Sequence, residues 1–168
     1  MEARDLARSS PEPFEISLRV RHPSIDPETI SSELKVEPEH CFRAGEPRES
    51  TSGSPLTSVH AETYWLGSLN IITASSMLSG FSGTRARLAR ERIQSAGAES
   101  LSLALDASVV AFLRSHADFI RRIQSEEGQI SLLIEISTQA LNGFALSTAF
   151  TRLVSELGIA VEIDFVAD

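Results

Sequence analysis

Apolar residues at Phe14, Ile16, Leu18 and Val20 alternate with polar ones at Glu15, Ser17, Arg19 and Arg21. Successive side chains of a strand point to opposite faces, so this segment reads as a half-buried strand. His22-Pro23 ends it, because proline has no N–H to give to a ladder. Val161, Ile163 and Phe165 alternate in the same way with Glu162 and Asp164 and predict a closing strand. Between these two lies Ile130–Ile136, the most continuously apolar short run in the chain and too short for a helix. Ile130, Leu132, Ile134 and Ile136 share one face of it, and Ser131, Leu133, Glu135 and Ser137 the other. One face is core and the other only partly apolar, which suits a sheet covered by helices on one side and open on the other.

Three helices are written between the strands. Asp26 can cap the first, Pro27 fits its first position, and Ile25 and Ile30 can close a hydrophobic staple across the cap. Val36-Glu37-Pro38 should stop it. Val109, Leu113, His116, Ala117, Ile120 and Ile123 recur at three and four, with Phe112 and Phe119 widening the stripe, and predict the principal helix from Ala107 to about Gln124, closed by Gly128. Leu101, Leu103 and Leu105 alternate ahead of it as a short extended entry. Ser147 is placed to cap a last helix carrying Phe150, Leu153, Val154 and Leu157, with Gly158 at the left-handed position. His40–Ala44 reads as a brief strand, with Thr63–Leu69 pairing back on it. Gly67 marks a bulge or a close backbone approach in that second strand.

The resulting order, β-α-β-β-α-β-α-β, predicts an α+β two-layer sandwich. Its sheet is mixed or antiparallel with helices on one face, a ferredoxin-like core extended by one α-β unit. Residues 1–13 read as a flexible tail and 14–168 as a single domain. Within that domain, Ser, Thr, Gly and Pro make 49–61 a long mobile loop, and the glycine-punctuated stretch 70–100 reads as an insertion.

Composition narrows the function classes. At 168 residues, the chain has room for one domain with a substantial core. No apolar run approaches the roughly 20 residues a membrane-spanning helix needs, and the N-terminus lacks the apolar segment of a secretory signal, so a cytoplasmic protein with no membrane association is expected. The formal net charge of −8 disfavours a duplex nucleic-acid partner and suits a basic protein or a small ligand. Cys41 is the lone cysteine, so no intramolecular disulfide can form, and it reads as a small core-facing or edge thiol. His22, His40, His60 and His116 lack metal-ligand spacing, Gly80-Phe-Ser-Gly83 lacks the lysine of a phosphate loop, and neither metal nor cofactor is expected.

The order of short motifs resembles a bacterial family, domain of unknown function number 4279. The residues that carry the likeness are the opening strand followed by Ile25-Asp26-Pro27-Glu28-Thr29-Ile30, then Arg43-Ala44-Gly45-Glu46, and Trp65 near Ser68. Ile130–Ile136, Asn142-Gly143, Leu157-Gly158-Ile159 and Ile163-Asp164 complete it, so that it spans Phe14 to Phe165 apart from 70–100. The resemblance implies the fold and carries no established activity.

Candidate chemistry concentrates on the open sheet face. Arg19 and Arg21 should share it with Glu135, Glu162 and Asp164, with Tyr64 or Trp65 as an aromatic anchor at its rim. Cross-strand ion pairs explain those charges without any ligand. The functional reading is a polar binding face for another protein, in a non-catalytic interaction domain of the immunity or regulatory kind. The alternative is an enzyme on a small polar substrate, with a carboxylate as acid or base and Arg19 or Arg21 orienting an anion. Arg85, Arg87, Arg90 and Arg92 form the most basic window and read either as a docking patch or as a solvated helix face. A homodimer through edge strands is a further expectation.

Overall fold

The computed structural model describes residues 14–49, 53–69, 101–102, 104–137 and 144–166. The predicted tail 1–13, the insertion 70–100 with its four arginines, and Asn142-Gly143 lie outside the described residues. Five strands form one sheet: β1 (Phe14–His22), β2 (His40–Phe42), β5 (Thr63–Ser68), β6 (Gln129–Ser137) and β7 (Ala160–Val166). A separate two-stranded sheet pairs β3 (Pro47–Glu49) with β4 (Pro55–Val59). The α-helices are α1 (Pro27–Leu34), α2 (Val110–Ser115), α3 (Ala117–Ser125) and α4 (Thr148–Glu156).

The strand order is β2-β5-β1-β6-β7. The pairs β1·β5, β1·β6 and β2·β5 are antiparallel, whereas β6·β7 is parallel and is joined through α4. Strands β1, β2, β5 and β6 with their helices reproduce the ferredoxin-like plan, in which β1 and β2 flank the antiparallel β5. The parallel β6-α4-β7 crossover is the extra α-β unit, and the sheet is therefore mixed.

Ile16, Leu18 and Val20 are wholly buried, as are Leu132, Ile134 and Ile136 on the same face of the neighbouring β6, and all belong to one cluster with Ile30, Leu34, Leu113, Ile120, Ile123 and Phe150 from the helices. The helices therefore lie over the even-numbered face of β1. α1 starts as its sequence dictates: the Asp26 carboxylate accepts from Glu28 N at 3.0 Å, and Ile25 packs against the core while Ile30 is fully buried. Ser147 accepts from Phe150 N at 3.1 Å to cap α4. At the other end of α4, Gly158, at φ +61°, and Ile159 close a Schellman motif onto Ser155 O and Val154 O.

Four local expectations need correction. Residues 55–59, within the expected loop 49–61, form strand β4, because Gly45 N and His60 N extend the hairpin by bonding His60 O and Glu46 O at 2.8 and 2.9 Å. Leu101 and Ala104 are helical and buried instead of extended, and they lead into a π-helical turn over Leu105–Val109. The principal helix is interrupted at His116, where φ is −111° and ψ 15°. There the Phe112 carbonyl accepts from the His116 amide, from the Ser115 hydroxyl at 2.8 Å and from the imidazole Nδ1 at 2.9 Å, so side chains compete with the helix for one acceptor.

The last correction concerns the end of α3. The left-handed residue is Glu127, at φ 66°, not Gly128. Glu127 N and Gly128 N bond Gln124 O and Ile123 O in the Schellman pattern. Gly128 is needed for space: a Cβ there would meet Ile123 Cγ2 at 2.5 Å, Ile123 O at 2.7 Å and His22 Cδ2 at 2.8 Å.

Adjacent substitutions at this turn should act in opposite directions. Glu127→Gly relieves a left-handed side chain and is expected to stabilise by up to about 1 kcal/mol. Gly128→Ala overpacks the turn and is expected to cost roughly 1–3 kcal/mol. Denaturant midpoints of both variants check this, and a stable Gly128→Ala would refute the close-approach account.

Candidate functional site

The face of the sheet opposite the helices is built from odd-numbered residues of β1 and β6 and even-numbered residues of β2, β5 and β7. Register sets them in rows. One row runs Phe42, Tyr64, Arg21, Gln129, and the next runs His40, Leu66, Arg19, Ser131, Ala160. A third carries Ser68, Ser17, Leu133 and Glu162, and a fourth carries Glu15, Glu135 and Asp164. Same-face neighbours directly opposite across a ladder sit about 4.5–5.5 Å apart, so each row is a contact series.

The structure brings Arg19 and Glu162 together, as the strand pattern requires. The Arg19 guanidinium bonds the Glu162 carboxylate and donates to Ser131 Oγ at 3.2 Å. Its Nε is buried with no hydrogen-bond partner. Arg21 is half exposed and faces Glu62, outside the predicted set, at 3.5 Å. Glu135 lies on the same face but stands between Glu15 and Asp164, two further carboxylates, and neither of the β1 arginines is in register with it. Tyr64 lies on this face beside Arg21.

Trp65 does not. It is fully buried on the helix side, with its Nε1 donating to Ser31 Oγ of α1 at 3.0 Å. It cannot be the rim anchor. Its ring also explains Gly67, since a Cβ on that glycine would meet the indole at 2.4 and 2.8 Å. The close approach expected at this glycine is made by the chain's own tryptophan.

The aromatic side chains that mark the open face come from the two strands expected at His40–Ala44 and Thr63–Leu69, joined by His60 from the stretch expected to be a loop. His60, immediately after β4, stacks on Phe42 with centroids 3.7 Å apart and planes at 19°. Phe42 in turn stacks on Tyr64 at 5.2 Å and 15°. His40 meets Phe42 and Tyr64 edge-on at 5.9 and 5.8 Å. His40 and Phe42 alternate in phase with Tyr64, which was the available signal, but three residues of strand are too few to fix a partner. A groove of about 430 Å³ beside these rings is lined by His40, Phe42, Arg48 and His60 among others.

Cys41 points to the opposite side of β2 and is exposed, so it is an edge thiol. It lines a second groove, of about 570 Å³, between β2 and α1. Neither groove is lined by Glu135, Glu162 or Asp164. Among the described residues, no three His, Cys, Asp or Glu side chains converge as a metal site, and no helix is long and apolar enough to cross a membrane.

His22, which the sequence marks only as the end of the first strand and as one of four scattered histidines, is buried. Its Nδ1 accepts from Ser24 N at 3.1 Å and Ile25 N at 2.9 Å, which places the proton on Nε2, 3.3 Å from the Glu126 carboxylate. Nε2 is buried without a hydrogen-bond partner among the described residues, and the ring lies against Gly128 at the end of α3. Asp26 is likewise bonded by Arg43, whose own amide donates to Glu46 Oε2 at 2.9 Å. The two motifs Ile25–Ile30 and Arg43–Glu46 are thus one fastening between α1 and the β2–β3 loop. Comparison with protein-family models, with curated proteins and with solved structures finds no match to this chain, so the likeness to family 4279 rests on the quoted residues alone.

The Arg19–Glu162 pair is half screened by solvent. A double-mutant cycle with Arg19→Met and Glu162→Gln should give a coupling of about 1 kcal/mol or less, shrinking in high salt. A coupling of zero at low salt would show that the pair is incidental.

Proposed function

We propose that the chain is a cytoplasmic, non-catalytic interaction domain, immunity-like or regulatory, which binds another protein through the helix-free face of its sheet. The observation that carries this reading is the stacked series His60, Phe42, Tyr64, lying on that face beside the exposed Arg21. Aromatic and arginine side chains contribute most of the energy of typical protein interfaces, because they bury large areas at low conformational cost. The alternative enzyme asks a carboxylate on this face to act as acid or base. Glu162 is already engaged by Arg19, while Glu135 and Asp164 sit at the far side of the sheet from either groove, which favours binding over catalysis. Kinship with domain family 4279 belongs to the same proposal, supported by the fastening of Asp26, Arg43 and Glu46.

Capture from an extract of the source organism, run in parallel on wild type and on Phe42→Ala and Tyr64→Ala, tests the reading. A stoichiometric partner retained by wild type should bind each variant at least about thirtyfold more weakly, the loss typical of a truncated aromatic anchor. A partner held equally by all three proteins, with the variants folded by circular dichroism, would remove the ring series from the interface.

A further inference from the structure

At the opposite edge of the sheet from the rings, β7 makes one described ladder, with β6, and its outer edge has none among the described residues. An unpaired edge is a template for another strand, and proteins commonly blunt such edges with lysine, proline or a bulge. Ala160–Val166 contains no lysine, proline or glycine. Phe165 is 64% exposed and Val166 47% exposed. Phe165 lies on the helix side, in register with the wholly buried Ile136, so an added strand would extend the apolar layer over it.

The charges on this edge select the occupant. Asp164 is the outermost member of the row Glu15, Glu135, Asp164, and no basic residue of β1, β6 or β7 is in register with that row. A second copy fits badly. Every in-phase antiparallel register that pairs most of β7 with its own copy sets Glu162 or Asp164 opposite Glu162 or Asp164, and like charges directly opposite are destabilising. A strand with lysine or arginine at alternate positions and apolar residues between them meets both requirements.

We infer that the outer edge of β7 is a strand-addition site for a basic segment of a partner protein, separate from the ring series on β2 and β5. Main-chain bonds supply the affinity in this mode, and the alternate side chains supply the selectivity.

The test uses the full chain and three labelled synthetic peptides: alternating lysine and valine, alternating glutamate and valine, and a lysine block followed by a valine block. The alternating lysine peptide should bind in low salt and slow amide exchange over Ala160–Val166. The blocked peptide, of equal charge, should bind at least about tenfold more weakly. Asp164→Lys, at an exposed position, should shift preference towards the glutamate peptide by about tenfold. Equal binding of the alternating and blocked peptides would reduce the effect to bulk charge and overturn the inference. So would protection confined to His40–Phe42, or light scattering showing a homodimer with β7 protected in the absence of peptide.

Discussion

The phase of β1 governs the molecule. β1 is hydrogen-bonded on both sides, to β5 and to β6, and its even-numbered residues Ile16, Leu18 and Val20 are entirely excluded from solvent. Burying each such side chain stabilises by about 1.5–3 kcal/mol, whereas a cross-strand ion pair contributes at most about 1 kcal/mol. The apolar set therefore decides the register, and the charges take the positions that remain. A slip of one residue would send all three aliphatics to the open side and drive Arg19 and Arg21 under the helices. The pairing of Arg19 with Glu162 is a consequence of that choice, not its cause.

The same reasoning shows why the sequence discloses some elements and conceals others. β1, β6 and β7 announce their faces because only one parity of each is apolar or because the run is long enough to be central. Thr63–Ser68 gives no such indication: Tyr64, Trp65 and Leu66 put large apolar groups on both parities, so the pattern leaves the phase open. The phase is settled by things remote in the chain, namely Ser31 as an acceptor for the indole and the missing Cβ of Gly67 beneath its ring. The stacking of His60 on Phe42 is hidden from the sequence for a related reason. Their stacking depends on a hairpin that folds residue 60 back over residue 42, and the serine- and threonine-rich composition before it resembles an irregular loop. At the end of α3, the glycine was legible as special, but the backbone gave the left-handed position to its neighbour because steric room mattered more at Gly128.

The motifs that suggest a bacterial domain family prove to be joints. Asp26 caps α1 and holds Arg43, Glu46 accepts from the Arg43 amide, and Gly45, at φ +84°, gives its N–H to His60 O. These contacts fix where β3 and β4 sit relative to the main sheet, and so they position His60 over Phe42. Residues far from any proposed interface can in this way decide whether its aromatic surface exists.

One detail gives the protein a built-in optical gauge. The sole tryptophan is sealed in the seam between α1 and the sheet, bonded to the helix through Ser31 and resting on the bare backbone of Gly67. Its light emission is set by the dryness of that seam, so parting of α1 from the strands would register as a red shift even while the rest of the fold held together.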